Sequence, residues 1–286
     1  MSARFRYCLR VGKMVLCGVT SGVAAAAVVY KTSEGRDEIF PTALASWTTN
    51  YTPSSRWEAN WDKREPENLV APNKTEMDGG EYNAKIQKLK PTATRHLLLI
   101  RHGHYVLEGE TDEKRILTIK GREQADLTGH RLKELGYPYT VMINSSMTRA
   151  KETADVIAES LPLVPRLECD MLREGAPIPP EPPVGHWKPE LRQFYEDGAR
   201  IEAAFRKYFH RADPDQEKDS YEVIVCHANV IRYFVCRAMQ FSPEAWLRMS
   251  LNHGSITWLS IRPSGRVSLR QLGDSGHMPP AKLSST

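Results

Sequence analysis

The chain has 286 residues, of which 41% are hydrophobic and 26% are charged, so it has enough apolar material for a core and an ordinary globular charge content. Its formal net charge of +4 is small, and the basic excess lies before residue 14, which gives no support for a nucleic-acid-binding surface. The five cysteines are odd in number and show no Cys-x-x-Cys spacing, which argues against a disulfide scaffold and fits a reducing or mitochondrial setting.

The first recognisable segment, residues 14–30, carries no charge and is rich in alanine, valine and glycine. Three interpretations are open: a membrane anchor that doubles as an import signal, a cleaved secretory signal peptide, and a helix of a soluble core. The basic residues before it and the small residues Gly18 and Gly22, four apart, favour a helix packed in lipid. The cysteine usage counts against secretion. We therefore predict a single transmembrane or import segment within residues 1–30.

Residues 31–91 show no sustained periodicity and are rich in proline, charged and small polar residues, which is typical of a linker. The stretch 57–65 interrupts this pattern with two tryptophans four residues apart, interleaved with asparagine and charged residues. It can pack back on its own domain. It can also insert into a neighbouring subunit, because tryptophan and arginine dominate interface hot spots.

The remaining residues, 92–286, form one predicted domain. Apolar spacing and turn signals predict strands at 97–100, 140–144 and 221–226, helices at 118–136, 148–160, 189–211 and 229–239, and a closing hairpin of strands 255–261 and 267–272. Thr118 is a natural N-cap and Gly136 a natural stop for the first of these helices. Strands that alternate with helices predict an α/β fold, here a mostly parallel sheet with helices on both faces.

Four short motifs bring polar residues to the ends of these predicted elements. Arg101-His102-Gly103 directly follows the first strand, and His227 follows the strand at 221–226. In open α/β sheets, ligands bind at the carboxyl ends of the strands. The other two motifs are the serine- and arginine-containing segment 145–153 and the loop Leu172-Arg173-Glu174-Gly175.

These motifs stand in an order found in one protein family, together with the helix that carries Gly121, Gln124 and Ala125. From about residue 95 to residue 276, the chain resembles the histidine phosphatase superfamily, in its phosphoglycerate-mutase-like branch. The resemblance implies the α/β fold predicted above and phosphoryl transfer to a histidine nucleophile. The histidines lack the spacing of metal ligands, and no glycine-rich nucleotide loop is present, so we expect neither a metal nor a cofactor.

The resemblance also implies a role for each pocket residue. His102 attacks phosphorus and forms a phosphohistidine, which water then hydrolyses. Arg101, Arg149 and His227 bind the phosphate and stabilise the charge on its oxygens, since guanidinium groups match phosphate geometry. Glu174 is the expected general acid for the leaving oxygen, with an ion pair to a nearby arginine as the equal alternative.

A closer similarity, to the mitochondrial serine/threonine protein phosphatases of this superfamily, is carried by residues 57–65, 172–178 and 186–189. It implies phosphoprotein partners, an apoptosis signal-regulating kinase among them, and roles in cell-death and stress-kinase signalling and in mitochondrial quality control. It also implies a single-pass N-terminal anchor in a mitochondrial membrane, with the outer membrane preferred over the inner one.

The same similarity implies assembly into large rings, dodecamers among them, through the stretch 57–65. The fixed positions of that motif are all present: Trp57, Asn60, Trp61, Asp62, Arg64 and Glu65. We therefore favour homo-oligomeric assembly through this stretch over packing on its own domain.

Two other functions stay open on sequence grounds. A small-molecule phosphatase or a sugar-phosphate mutase would use the same pocket, and an oligomeric scaffold or kinase activator would need little catalysis. The predicted anchor and arm favour a protein substrate over a soluble metabolite. The presence of all four phosphate-pocket residues counts against a scaffold that has lost catalysis.

Overall fold

The computed structural model describes residues 52–70, 78–185 and 187–285. The predicted membrane segment and part of the predicted linker lie outside these residues. Within them, no helix combines the length and the apolar character that crossing a bilayer requires. The chain divides into two units, Met1–Arg56 and Trp57–Thr286, and the fold described below belongs to the second.

The regular elements of the second unit alternate along the chain in the α/β manner. The strands are β1 (Arg95–Arg101), β2 (Tyr139–Ser145), β3 (Arg166–Cys169), β4 (Ser220–Cys226), β5 (Ile256–Ile261) and β6 (Val267–Asp274). The helices are α1 (Pro66–Leu69), α2 (Gly79–Lys88), α3 (Ile119–Leu135), α4 (Thr148–Ser160), α5 (Leu191–Tyr208) and α6 (Ala228–Ala238). Short 3₁₀ turns lie at Asp112–Lys114, Asp170–Leu172, Pro243–Arg248 and Pro280–Lys282.

In the described residues the strands form one sheet in the order β3-β2-β4-β1-β5-β6. Strands β1 to β4 pair in parallel, as their alternation with helices predicts. Strand β5 pairs antiparallel with both β1 and β6. The α/β class is confirmed, but the predicted mostly parallel sheet is corrected to a mixed one. The physical reason is the closing hairpin, because strands joined by a short turn must run in opposite directions.

The short strand β3 is not predicted by the sequence. Three of its four residues are exposed, with Leu167 at 60%, and it pairs with β2 alone at the edge of the sheet. An exposed edge strand has no alternation of apolar and polar residues for a pattern to detect.

The sheet is covered on both faces, since successive side chains of a strand point to opposite sides. In β1, Leu97 and Leu99 belong to the core formed with α5 and α6. Leu98 and Ile100 belong to the core formed with α3 and α4. The predicted helices on both faces are therefore confirmed, and the carboxyl end of β1 is held between two packed layers.

Helix α3 begins and ends at the predicted residues. The Thr118 hydroxyl accepts a hydrogen bond from the backbone N–H of Gly121 at 3.1 Å. Gly136 follows the last turn with a left-handed φ of 64°. Both signals are local, which explains why the sequence predicts this helix so closely.

The stretch 57–65 lies on its own domain in this structure. The indole N–H of Trp61 donates to the carbonyl oxygen of Gly265 at 2.8 Å, and the Trp61 ring centre lies 6.0 Å from that of Phe205 in α5. Gly265 has a φ of 79°, and a Cβ there would lie 2.7 Å from the carbonyl oxygen of Ala59. The turn between β5 and β6 therefore accommodates this stretch because it contains a glycine.

Charged residues hold the same stretch in place. The side chain of Asp62 is buried, accepts from the backbone N–H of Arg211 at 2.8 Å and pairs with the Arg211 guanidinium at 3.1 Å. Arg64 pairs with Asp213. Removing one partner of a buried pair is strongly destabilising, because it leaves an uncompensated charge.

The other motif residues lie nearer the surface. Asn60 accepts from the backbone N–H of Glu65 at 3.2 Å, which closes a turn within the stretch. The Glu65 carboxylate lies 4.0 Å from the guanidinium of Arg211. Trp57 is 42% exposed, so it contributes less to this docking than Trp61 does.

Replacing Trp61 by alanine removes its hydrogen bond to Gly265 and its packing on Phe205. We expect the free energy of unfolding to fall by about 2–3 kcal/mol, less than for a fully buried aromatic residue. Urea denaturation measures this change. Trp57→Ala is the matched control, with an expected loss below about 1 kcal/mol. Equal losses in the two variants would contradict docking through Trp61.

Candidate active site

Two glycines press the loop after β1 against α3. A Cβ on Gly103 would lie 2.4 Å from the carbonyl oxygen of Gly121, and one on Gly121 would lie 1.9 Å from the carbonyl oxygen of His104. The backbone N–H of Gly103 donates to the hydroxyl of Thr153 in α4 at 3.0 Å. The backbone around His102 is therefore fixed between two helices.

His102 lies at the centre of the site and is 2% exposed. Its Nδ1 lies 2.8 Å from the carbonyl oxygen of Gly103, which can only accept, so Nδ1 carries the proton. Its Nε2 receives the Nε–H of Arg149 at 3.2 Å, and an arginine can only donate. The side chain is therefore a neutral imidazole whose lone pair is on Nε2, the form that a nucleophile needs.

Arg149 reaches the site from α4 and is buried. Its guanidinium carbon lies 4.7 Å from the centre of the Tyr105 ring, and that ring meets His102 edge-on at 5.1 Å. Its backbone carbonyl accepts from the hydroxyl of Thr153 at 2.6 Å. Its Nη1 lies 3.7 Å from the carboxylate of Asp112. These contacts hold the guanidinium beside His102.

Arg101 is the last residue of β1 and is buried. Its Nη1 donates to the carbonyl oxygens of Leu251 and Ser285 at 2.6 Å and 2.7 Å. Burial lowers the pKa of Arg101 to about 10, with Glu174 opposing the shift. Arg101 therefore remains a cation at neutral pH.

His227 follows β4, and its ring centre lies 5.1 Å from that of His102. Its Nε2 lies 2.8 Å from the hydroxyl of Ser145 at the end of β2. Burial, followed by the charge of Arg149, lowers the pKa of His227 well below its ordinary value. Burial and the neighbouring His227 lower the pKa of His102 in the same direction. Both imidazoles are thus neutral at neutral pH, and the positive charge of the pocket comes from the arginines.

Glu174 lies on the loop after the 3₁₀ turn Asp170–Leu172, and its Oε1 accepts from the backbone N–H of Gly175 at 3.2 Å. Burial raises the pKa of Glu174, although Arg149 and Arg101 oppose the rise. It forms no ion pair with the residues that the structure describes, which leaves the carboxyl free for proton transfer. A carboxyl that keeps its proton closer to neutral pH suits a general acid.

The loop that carries Glu174 is held by Arg200, a residue of α5 that the sequence analysis missed. Its guanidinium donates to the carbonyl oxygens of Met171 at 3.1 Å, Arg173 at 2.5 Å and Glu174 at 3.0 Å. Arg200 therefore positions the carboxyl through its backbone. An arginine within an amphipathic helix gives no sequence signal for such a role.

His253, just before β5, is a second residue that the sequence analysis missed. Its ring centre lies 5.5 Å from that of His102. Burial, followed by Arg101, lowers the pKa of His253 to about 3. A His-Gly pair directly before a predicted strand, like the one directly after β1, is the signal that could have found it.

The structure brings the five predicted catalytic residues together: His102, Arg101, Arg149, His227 and Glu174. Several buried nitrogens at this site have no hydrogen-bond partner among the described residues: Arg101 Nε, Arg149 Nη1, His227 Nδ1 and His253 Nε2. Leaving a buried polar group unpaired costs about 1–3 kcal/mol, so this arrangement fits a ligand rich in acceptor oxygens. A phosphate group meets that description, and Nε2 of His102 is placed to attack it.

The residues of the stretch 57–65 contact none of these five side chains in the hydrogen bonds and ion pairs described above. In the described part of the chain, no group of three or more His, Cys, Asp or Glu side chains is arranged to hold a metal ion.

A comparison with protein families places the chain in a known family. The model of the histidine phosphatase superfamily (branch 1) matches residues 97–176 and 180–274, which include all five predicted catalytic residues.

Curated relatives match nearly the whole chain. A mouse protein is 53% identical over 278 residues, covering 95% of this chain and 96% of its own. A human protein is 53% identical over 279 residues and likewise covers 95% of this chain and 96% of its own. Both are named serine/threonine-protein phosphatase PGAM5, mitochondrial.

Among solved structures, the product of a Mycobacterium tuberculosis open reading frame is 24% identical, with a TM-score of 0.50. The match covers 64% of this chain and 99% of that one, and it shows the fold. The family model spans more than half of the chain, and the motif residues it includes meet in one pocket. The chain therefore belongs to the histidine phosphatase superfamily, branch 1.

Proposed function

We propose that this chain hydrolyses phosphoserine and phosphothreonine in proteins through a phosphohistidine at His102. The observation that carries the proposal is an unprotonated Nε2 on His102, held beside Arg149, in a pocket with a carboxyl whose pKa is raised, Glu174. A phosphomonoester needs this combination of nucleophile and acid at neutral pH. The names of the mouse and human relatives supply the substrate class.

In the first step, the lone pair of His102 Nε2 attacks phosphorus in line with the leaving oxygen. The N–P bond forms, the P–O bond to serine or threonine breaks, and the leaving oxygen takes the proton of Glu174. His102 needs no prior deprotonation, because burial keeps its pKa well below neutral. Its Nδ1–H stays on the carbonyl oxygen of Gly103, which stabilises the positive charge that the ring acquires.

In the second step, water attacks the phosphohistidine and the carboxylate of Glu174 takes a proton from it. The N–P bond breaks, its electron pair returns to Nε2, and inorganic phosphate leaves. The residue that was the acid in the first step is thus the base in the second, and both the imidazole and the carboxyl end in their starting protonation states.

Arg101, Arg149 and His227 would bind the equatorial oxygens of the phosphoryl group in both steps. Phosphoryl transfer depends mainly on positioning and on electrostatic stabilisation of those oxygens. Because these side chains are buried and held by the contacts described above, the side chains themselves need no rearrangement as charge develops.

We extend the proposal to location and assembly. The segment 14–30 would anchor the chain in a mitochondrial membrane, the outer one preferred, and phosphoproteins such as an apoptosis signal-regulating kinase would be its partners. For assembly, the stretch 57–65 would exchange between copies. The contacts that it makes to its own domain are the contacts that it would make to an identical neighbour.

His102→Ala should lower phosphate release from a phosphothreonine peptide by at least about 10³-fold, because the variant lacks the nitrogen that attacks phosphorus. In a single turnover with labelled phosphopeptide, the wild-type protein should retain acid-labile, alkali-stable label. His130→Ala, which changes an exposed histidine of α3, is the control and should behave as wild type. Label that survives acid, or label on the His102 variant, would contradict the phosphohistidine.

Glu174→Gln should lower the single-turnover rate for a phosphoserine peptide about 10²–10⁴-fold, the usual contribution of a general acid. The loss should be much smaller for p-nitrophenyl phosphate, whose leaving group needs no proton. The wild-type rate should fall as pH rises through the raised pKa of Glu174, and the variant should lack that fall. Glu168→Gln, at an exposed position of β3, is the control. Equal losses on both substrates would rule out Glu174 as the acid.

Trp61→Ala should reduce the size of the assembly, since the exchanged stretch loses its main anchor in the neighbouring domain. Sedimentation velocity measures this, with Tyr195→Ala on the exposed face of α5 as the control. A sedimentation coefficient equal to that of the wild type, together with the loss of stability expected above, would show that the stretch serves its own domain and would dispose of assembly by exchange.

A further inference from the structure

A segment of the chain itself lies over one of the two pocket arginines. After Met278, which is buried, the chain passes through the 3₁₀ turn Pro280–Lys282 and runs alongside the site to Ser285. The carbonyl oxygen of Ser285 accepts from Nη1 of Arg101 at 2.7 Å. The segment 282–285 therefore takes up a guanidinium donor that is expected to bind phosphate.

Two side chains of α3 hold this segment, mostly by its main chain. Nζ of Lys120 donates to the carbonyl oxygen of Leu283 at 2.8 Å. The side-chain amide of Gln124 donates to the carbonyl oxygen of Lys282 at 2.6 Å and to the hydroxyl of Ser284 at 2.9 Å. Three consecutive residues are thus bound by donors that project from one helix.

His253 makes two contacts with the segment, both to Ser284. Its backbone N–H donates to the carbonyl oxygen of Ser284 at 2.8 Å, and its Nδ1 lies 3.0 Å from the Ser284 hydroxyl. Ser284 is therefore recognised by its hydroxyl as well as by its backbone. Ser285 is held by its carbonyl oxygen, and its hydroxyl takes part in none of these contacts.

Two of the residues that donate to the segment are buried in the domain, whereas the segment itself is not buried. Gln124 and His253 are 0% and 1% exposed, and Gln124 also accepts from the backbone of the loop after β1. No residue of 279–285 is buried, so polar contacts and the ion pair of Lys282 with Glu123 hold the segment, not core packing. The four side chains whose nitrogens contact the segment are called the peptide groove below: Arg101, Lys120, Gln124 and His253.

We propose that the peptide groove binds the polypeptide of a phosphoprotein substrate, and that the segment 282–285 fills the groove in cis as a product-like peptide. The inference rests on the proposed phosphatase function. A peptide with a free serine hydroxyl is what hydrolysis of phosphoserine leaves behind, and Ser284 lies in the groove in that form. Because most contacts go to main-chain oxygens, the groove accepts varied residues around the serine.

A substrate displaces the segment because phosphate binds an arginine more strongly than a carbonyl oxygen does. Arg101 now donates to the neutral oxygen of Ser285. The negative charge of a phosphate oxygen adds a Coulombic attraction to the guanidinium that a neutral carbonyl oxygen does not provide. The attached segment competes at an effective concentration on the order of millimolar. It therefore acts as an intramolecular competitive inhibitor, which raises KM and leaves kcat unchanged.

Deletion of residues 281–286 tests the inference, since none of the described residues 281–285 is buried. We expect KM for a phosphothreonine peptide to fall about three- to tenfold with kcat unchanged, the effect of removing a weakly held competitor. A free peptide of residues 279–285, added back to the deletion variant, should inhibit it competitively.

The same peptide, labelled with fluorescein, reports on the groove without catalysis. By fluorescence anisotropy it should bind the deletion variant about three- to tenfold more tightly than the intact chain, the same factor as for KM, because the attached segment competes equally with both ligands. Ser284→Ala in the peptide removes the hydroxyl contacts with Gln124 and His253 and should weaken binding about tenfold. Ser285→Ala is the matched control, because its hydroxyl forms no hydrogen bond with the described residues, and should bind like the parent peptide.

An unchanged KM after the deletion would overturn the inference, as would non-competitive inhibition by the peptide or equal affinity of the Ser284→Ala and parent peptides. A fall in kcat would instead make the segment part of the catalytic structure. If the deletion variant does not fold, the full chain carrying Ser284→Ala replaces it and should show the same direction of change in KM. Serine-dependent peptide binding without any phosphopeptide hydrolysis would refute the proposed phosphatase and still support the groove.

Discussion

The site depends on one hydrogen bond, from Nδ1–H of His102 to the carbonyl oxygen of Gly103. It fixes the tautomer, and so it decides that the lone pair is on Nε2, where Arg149 can orient it. The bond can form because Gly103 and Gly121 have no side chains, which lets α3 press against the loop after β1. Thr153 binds the N–H of the same loop from the other helix. The orientation of the His102 imidazole is therefore fixed before substrate binds. Such preorganisation is how positioning accelerates a reaction.

The charges of the pocket follow from burial. The carboxylate that pairs with Arg149 is 3.7 Å away, on Asp112, and Arg101 donates to neutral carbonyl oxygens. Neither arginine is closely neutralised by these contacts, so the pocket favours a dianion. The histidines add no charge, because burial keeps their pKa values low. The same burial raises the pKa of Glu174 against the field of both arginines. Burial thus keeps the nucleophile neutral and favours the protonated form of the acid.

The sequence predicts the parts of this fold that local patterns decide. The buried run of β1, the cap at Thr118, the stop at Gly136 and the polar step at Arg101-His102-Gly103 each depend on neighbouring residues. Long-range pairing decides the rest. Strand β3 is mostly exposed and forms because β2 offers it an edge. His253 reaches the pocket because β5 lies antiparallel beside β1. No local sequence pattern predicts that pairing. The segment 282–285 has no periodicity, and its position depends on donors in α3 and before β5 that are distant in sequence.

The two segments that dock on the domain from outside the sheet are held by different kinds of contact, and the uses proposed for them differ accordingly. The stretch 57–65 is fixed by the buried pair of Asp62 and Arg211 and by the indole of Trp61. Breaking such a pair leaves a buried charge uncompensated, at about 3–5 kcal/mol. The stretch would therefore leave its own domain only for an identical site, as in the proposed exchange between copies. The segment 282–285 is held mainly through its carbonyl oxygens. Each hydrogen bond contributes a net ~0.5–1.5 kcal/mol from a neutral donor and about 1.5–3 kcal/mol from the charged groups of Arg101 and Lys120, and water can replace the protein acceptor in each. A phosphate dianion can therefore replace the carbonyl oxygen of Ser285 at Arg101. The segment can thus cover the pocket and still be displaced by a substrate.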